Sequence, residues 1–398
     1  MKTEIDRLAK EVEAKVIAWR RDIHQHPELS NREFRTGALV ARHLKGLGLE
    51  VKTDVAKTGV TGLLHGKKKG AVVALRADMD ALPVIEMTKA SYASKNAGVM
   101  HACGHDCHTA ILMGTAEVLT KMREKITGSV KFIFQPAEEG PPEGEEGGAF
   151  LMIKEGALKD PMPDAIIGLH VGRFPGRVFF YRSGPFMASG DVLNIVVKGS
   201  QTHGAMPWQG VDPIVVAAQI VIGLQSIVSR QTDLTRTPAV ISIGKISGGQ
   251  RFNIIPQQVE MMGTIRVADN NIREEILVKV RKTAQMIAKS AGATAKVTVK
   301  RAFAVTFNDP ALTAKVVPIL QKLVSKEDVV EVPLMTSSED FSFYQEKIPG
   351  FFFFMNVKPP NGDVIPIHSP FFDVDEKALI TGVRALSHLA VDFLKAKR

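Results

Sequence analysis

The chain has 398 residues, a length that suggests two domains rather than one. It is 45% hydrophobic and 23% charged, a globular balance that excludes a disordered or fibrous protein. The formal charge of +9 does not point to nucleic acid: the basic residues are spread along the chain, aromatics are 6%, and no groove-reading motif appears, so a basic surface is the plainer reading.

The two cysteines, Cys103 and Cys107, are too close in sequence for a disulfide framework and suit a reducing compartment and metal chemistry. The first 21 residues have no apolar core of a leader peptide, and the apolar run Ile214–Leu224 is too short to span a bilayer. A soluble, cytoplasmic protein with no membrane or nucleic-acid partner is expected.

Ile5, Leu8, Val12, Val16, Trp19 and Ile23 recur at helical spacing, so residues 5–26 read as a helix ending at His26-Pro27. A second helix covers 34–47. Val72–Leu75 reads as a buried strand and runs into Asp78 and Asp80, where α/β sheets place their ligands. A helix starts near Asp106. The strands Val130–Phe134 and Ala165–Leu169 follow, ending at Glu138-Glu139 and at His170. Strands at 191–198, 239–247, 257–267 and 294–300, with helices at 212–230 and 272–291, give the ferredoxin-like order β-α-β-β-α-β. Helices at 310–325 and 338–347, a strand at Phe351–Met355 and a helix at 375–395 close the chain. The fold class is therefore α/β. A catalytic domain (1–187 and 302–398), a central β-sheet flanked by helices, carries an inserted ferredoxin-like α+β lid or dimerisation domain (188–301).

The densest chemistry is Met100–His108, which holds three histidines, both cysteines and Asp106. Cys103 and His105 flank Gly104 and can aim at one point; a thiolate and an imidazole suit zinc or a similar first-row metal. Asp106 can orient a ligand histidine. His101 and His108 are expected to support rather than bind, Cys107 to pack inertly, and Glu143, Glu145 and Glu146 to form a solvated loop. Cys103, His105, Glu138, Glu139, His170 and His368 are too many donors for one tetrahedral zinc and suit two metals sharing a ligand. Two metals acidify a water and polarise a carbonyl. Of the pair Glu138-Glu139, one can bind metal while the other moves a proton, in either order.

His-Ala-Cys-Gly-His-Asp (101–106), Arg-Ala-Asp-Met-Asp-Ala-Leu-Pro (76–83), Gln-Pro-Ala-Glu-Glu-Gly (135–140), Leu-His-Val (169–171), His-Ser-Pro (368–370), the opening Arg20–Glu28 and Ser338–Phe341 occur together and in order. In these the chain resembles the two-metal amidohydrolase and carboxypeptidase family, in its branch of N-acyl-amino-acid amidohydrolases, hippurate hydrolase and indole-acetyl-amino-acid hydrolases. The resemblance implies hydrolysis of the amide of an N-acyl amino acid. It implies two divalent metal ions per chain (zinc, or manganese, cobalt or nickel), with Cys103 bridging, His105 and His170 completing one site, and Glu139 and His368 the other. It also makes Glu138 the general base and gives Asp80 the orientation of a ligand histidine. The wider family carries a metal-binding histidine where this chain has Asp78. The stretch 199–207 resembles the family's segment with a substrate-binding histidine, here His203, although Gln201-Thr202 departs from the usual Gly-Gly. Asn253 falls in a segment resembling one that contacts substrate. The family's inserted domain carries dimer contacts, so a homodimer or homotetramer is expected, in which the lid histidine can serve the partner's active site. The alternatives are a dipeptidase or carboxypeptidase acting on free peptides, and a non-catalytic, metal-stabilised binding protein.

Overall fold

The computed structural model describes residues 2–396, which fall into two compact units. The first takes the chain up to Gly184, then Phe307–Pro333 and the stretch from Phe343 onward; the second takes Pro185–Thr306 and Leu334–Ser342. The segment Leu334–Ser342 is not part of the insertion drawn at 188–301.

The first unit opens with α1 (Lys2–Gln25), whose Ile5, Leu8, Val12, Val16 and Ile23 are all buried, as their spacing requires. α2 (Phe34–Gly46) follows, then an antiparallel hairpin of β1 (Glu50–Val55) and β2 (Gly59–His65) that the apolar pattern did not mark. Next come β3 (Lys68–Asp78), α3 (His105–Lys121), β4 (Thr127–Gln135), α4 (Gly148–Lys154), β5 (Ala165–Gly172) and β6 (Phe179–Tyr181). α3 is buried on every side from His105 to Leu119. It packs against α1, β3 and the C-terminal helix described below.

After β7 (Gly184–Met187), the second unit runs β8 (Gly190–Lys198), β9 (Thr202–His203), α5 (Pro213–Gln231), β10 (Ala239–Gly248), β11 (Ile254–Ile255), β12 (Gln258–Val267), α6 (Asn270–Ser290) and β13 (Thr294–Phe303). Its sheet has the order β10-β12-β8-β13, antiparallel throughout, as a ferredoxin-like fold requires. Leu193, Ile195 and Val197 alternate inward from β8 against Val216, Ile220, Leu224 and Ile227 of α5. At 19 residues, α5 is longer than the apolar run within it and is apolar enough to cross a membrane by length and composition. Asp212 and Asp269 cap α5 and α6 by accepting from the amides of Ile214 and Ile272.

The chain returns through β14 (Thr306–Asn308), α7 (Pro310–Leu323), β15 (Val329–Glu331), α8 (Ser342–Gln345), β16 (Gly350–Asn356) and, after a 3₁₀ turn at Glu376–Ala378, α9 (Leu379–Ala396). The helix expected over 338–347 is reduced to the four residues of α8. The Glu339 carboxylate accepts the Phe341 amide 3.0 Å away and holds the preceding backbone out of helix. The first unit's eight-stranded sheet has the order β1-β2-β4-β3-β5-β16-β6-β15. Its centre, β4-β3-β5-β16, is parallel, so the ends of β3, β4 and β5 all open on one edge.

Inside the second unit, Asp191 takes two hydrogen bonds from Arg273, at 2.9 and 2.6 Å, with both side chains buried. Removing one partner strands a buried charge. Asp191→Ala is expected to destabilise this unit by about 3–5 kcal/mol, read from its urea unfolding transition.

Candidate active site

Gly104 sets the geometry of the stretch Met100–His108. Its φ of +86° turns the chain into α3, and a Cβ built there would lie 2.4 Å from the Val171 side chain. The turn leaves Cys103 and His105 on either side of a single left-handed residue, with His105 opening the helix. Cys103 Sγ lies 3.4 Å from Nε2 of His170, which stands in β5. His105 Nδ1 lies 3.1 Å from Asp80 Oδ1, while its Nε2 is buried with no hydrogen-bond partner among the described residues. Glu138 Oε2 is 4.0 Å from that Nε2. His368, half exposed and itself left-handed (φ 67°), places Nε2 3.1 Å from Glu139 Oε1. Its backbone is tied to the stretch Met100–His108 by donation from its amide to the Ala102 carbonyl.

Two triplets result, Cys103–His105–His170 and Cys103–Glu139–His368, and in each the donor atoms lie within 4.8 Å of one another. They share Cys103. A third group joins His105, Glu138 and Glu139. Asp78, His105 and His108 also approach one another, but His108 is already committed: its Nδ1 meets Asp78 at 2.5 Å and its Nε2 accepts the Val171 amide. Arg76 holds the other oxygen of Asp78 at 2.6 Å. His108 and Asp78 therefore brace the site.

Of the two aspartates expected beside a ligand histidine, Asp80 faces His105 and Asp106 does not. One oxygen of Asp80 faces His105; the other accepts from the Glu139 amide at 3.0 Å and from Ser30 Oγ at 2.8 Å. Asp106 turns the other way, to Arg20 and His24 of α1, each at 2.8 Å. Its partners outweigh its burial and hold its carboxyl far below the usual range. In the loop after β4, Glu143 and Glu146 are exposed as expected, but Glu145 is not simply solvated. Glu145 is bound by Arg32 and Asn31, which tie the loop to the turn after α1, and by Lys57 of the β1–β2 turn.

Three residues in that turn escaped the sequence reading: Ser30, Asn31 and Glu33. Their side chains are buried, and each reaches the site's supports. Glu33 accepts the amide of Ala137, a non-glycine residue at φ 54° just before Glu138-Glu139. Such a conformation costs about 1–3 kcal/mol and survives only where its surroundings fix it. The one available signal was position, since these residues directly follow the Arg20–Glu28 opening.

The cluster is short of positive charge. Burial, then the carboxylates of Glu139 and Glu138, push the Cys103 thiol well up. Burial alone would lower His105, but Asp78, the hydrogen bond to Asp80 and Glu139 outweigh it and raise it to about 10. The protein alone meets the excess of carboxylates by protonating His105. The orphaned Nε2 of His105, the buried thiol and the two carboxylates fit a pair of divalent cations, which would supply that charge.

A model of Peptidase family M20/M25/M40 matches residues 74–392. The chain belongs to this family. It is a metal-dependent hydrolase. The chain is 42% identical to thermostable carboxypeptidase 2 of Saccharolobus solfataricus over 96% of both chains. It is 38% identical to an N-acetyl-L-cysteine deacetylase of Bacillus subtilis, over 93% of this chain and 86% of that one. Its fold matches the crystal structure of the Bacillus subtilis YXEP protein, described as a dinuclear metal-binding peptidase of the same family. That match has a TM-score of 0.83 at 36% identity, over 97% of this chain and 99% of the other.

With His105 raised to about 10 and the Cys103 thiol raised as well, both carry protons in the metal-free protein at neutral pH. Loading the site must expel them, so metal affinity rises as pH rises. Titrating metal-free protein with zinc near pH 7 in weakly buffered solution is expected to release about two protons for these two groups.

Proposed function

We propose that this hydrolase cleaves the amide bond of small N-acyl amino acids, releasing a carboxylic acid and an amino acid. The observation that carries the reading is the placement of Glu138. Its carboxylate stands 4.0 Å from His105 Nε2, beside two donor triplets that are complete without it. A metal-stabilised binding protein needs the triplets but has no use for a further buried carboxylate next to them.

His105 and His170 would hold one divalent cation, Glu139 and His368 the other, and Cys103 both; zinc, or manganese, cobalt or nickel, suits this mixture of donors. When bound, such a pair supplies Lewis acidity toward a carbonyl oxygen and acidifies water. Glu138 takes the proton of the attacking water and passes it to the leaving amine. Asp80 holds His105 in one orientation through Nδ1 and leaves Nε2 for the cation. His203 and Asn253 are proposed as substrate contacts. The β9–β11 ribbon pairs His203 with Ile254, next to Asn253, and the Asn253 carbonyl accepts the Gly204 amide. His203 is exposed, and its Nδ1 accepts the Ala205 amide, so the proton sits on Nε2. That leaves an outward donor suited to a developing oxyanion.

A second reading, a carboxypeptidase acting on free peptides, is favoured by the 42% identity to thermostable carboxypeptidase 2. Comparing kcat/KM for N-acetyl, N-benzoyl and N-indole-acetyl amino acids with that for free dipeptides separates the two. The proposal expects the acylated amino acids to be preferred, and a preference for free dipeptides overturns it.

Glu138→Gln is expected to keep both metals and lower kcat by about a hundredfold or more, the range of a lost general base. Metal analysis beside steady-state kinetics checks this. Loss of metal would make Glu138 a ligand.

A further inference from the structure

We infer that Glu33 is a positioning residue for Glu138, acting through the backbone of Ala137. The inference rests on the reading of Glu138 as general base.

Glu33 is fully buried at the start of α2, far in sequence from the catalytic candidates. One of its oxygens, Oε1, accepts two backbone amides, those of Asn31 at 3.0 Å and Ala137 at 2.9 Å. Both donors belong to non-glycine residues in the left-handed region, at φ 62° and 54°. The other oxygen accepts from Thr58 Oγ1 at 2.6 Å. A single carboxylate thus pins two strained turns and ties them to the end of the β1–β2 hairpin. Burial, then the nearby Asp80, raises this carboxyl to about 7, so the position is kept against an electrostatic cost.

The turn at Ala137 decides where the Glu pair points. At the end of β4 the chain must leave the sheet, and the left-handed residue sends Glu138 and Glu139 toward the donor triplets. Glu139 has a second tether, because its amide donates to Asp80. Without the Glu33 acceptor, Ala137 has no reason to stay left-handed. The loss then falls on Glu138, while Asp80 still retains Glu139. A general base works only within hydrogen-bond reach of its proton, and a displacement of about 1 Å costs up to a hundredfold.

The test uses the metal-loaded enzyme and an N-acetyl amino acid that it turns over. Glu33→Met keeps the length and removes the acceptors. Glu33→Asp keeps the charge and withdraws the oxygens, and it does not depend on how a methionine packs. Both are expected to lower kcat by about 10- to 100-fold, with KM within about twofold and both metals retained. Glu33→Gln, which still offers an oxygen to the two amides, is expected to restore kcat to within about threefold of the parent. Placed on Glu138→Gln, Glu33→Met and Glu33→Asp are expected to add less than about twofold, since the base they position is gone. Equal losses in both backgrounds, an effect carried by KM, or a Gln variant as impaired as the Met variant would each overturn the assignment. Glu138→Gln with unchanged kcat would remove the general-base reading on which it rests.

Discussion

One carboxylate, that of Asp80, orders the rest of the site. It stands just past the end of a central parallel strand and is bound from three directions: by the His105 ring, the Glu139 amide and the Ser30 hydroxyl. Those three partners come from α3, the loop after β4 and the turn after α1. Burial would push Asp80 up, but its hydrogen bonds, first of all the one from His105, hold it below the usual carboxylate value, so it stays an acceptor for all three. A parallel sheet makes this convergence possible, because adjacent strands release their loops on one edge.

The supports lie outward from Asp80 in layers. Glu33 fixes Ala137, Asp78 and Arg76 fix His108, and His108 fixes the Val171 amide beside His170. Behind α3, Asp106 faces Arg20 and His24 and anchors α3 to α1. The carboxylates of Asp78, Asp80, Glu138 and Glu139 crowd the donor triplets. The response of the protein alone, a histidine raised to about 10 and a thiol pushed up, is that of a cluster built to surround cations.

Much of this was legible in the sequence, for identifiable reasons. Apolar runs such as Val130–Phe134 and Phe351–Met355 mark strands buried on both faces, and polar chemistry at their ends marks the site edge. The second unit could be read because its strands alternate and its helices carry Asp caps. β1 and β2 were missed. β1 is mostly exposed and polar, and β2 is a run broken by Gly62. The helix expected at 338–347 failed because a Glu339 side chain competes for backbone there. The roles of Ser30 and Glu33 were invisible because each works by accepting from or donating to a distant group. Such a bond leaves no spacing or compositional trace. Asp106 orients no candidate ligand histidine because it follows His105 on α3, and successive residues on a helix point to different sides.

The central claim is that Cys103 belongs to both donor triplets at once. Anomalous X-ray scattering from crystals of the metal-loaded protein tests it most directly. Two peaks per chain are expected, one with His105 and His170 and the other with Glu139 and His368, with Cys103 Sγ bound to both. A single peak, or two ions neither of which touches Cys103, would contradict it.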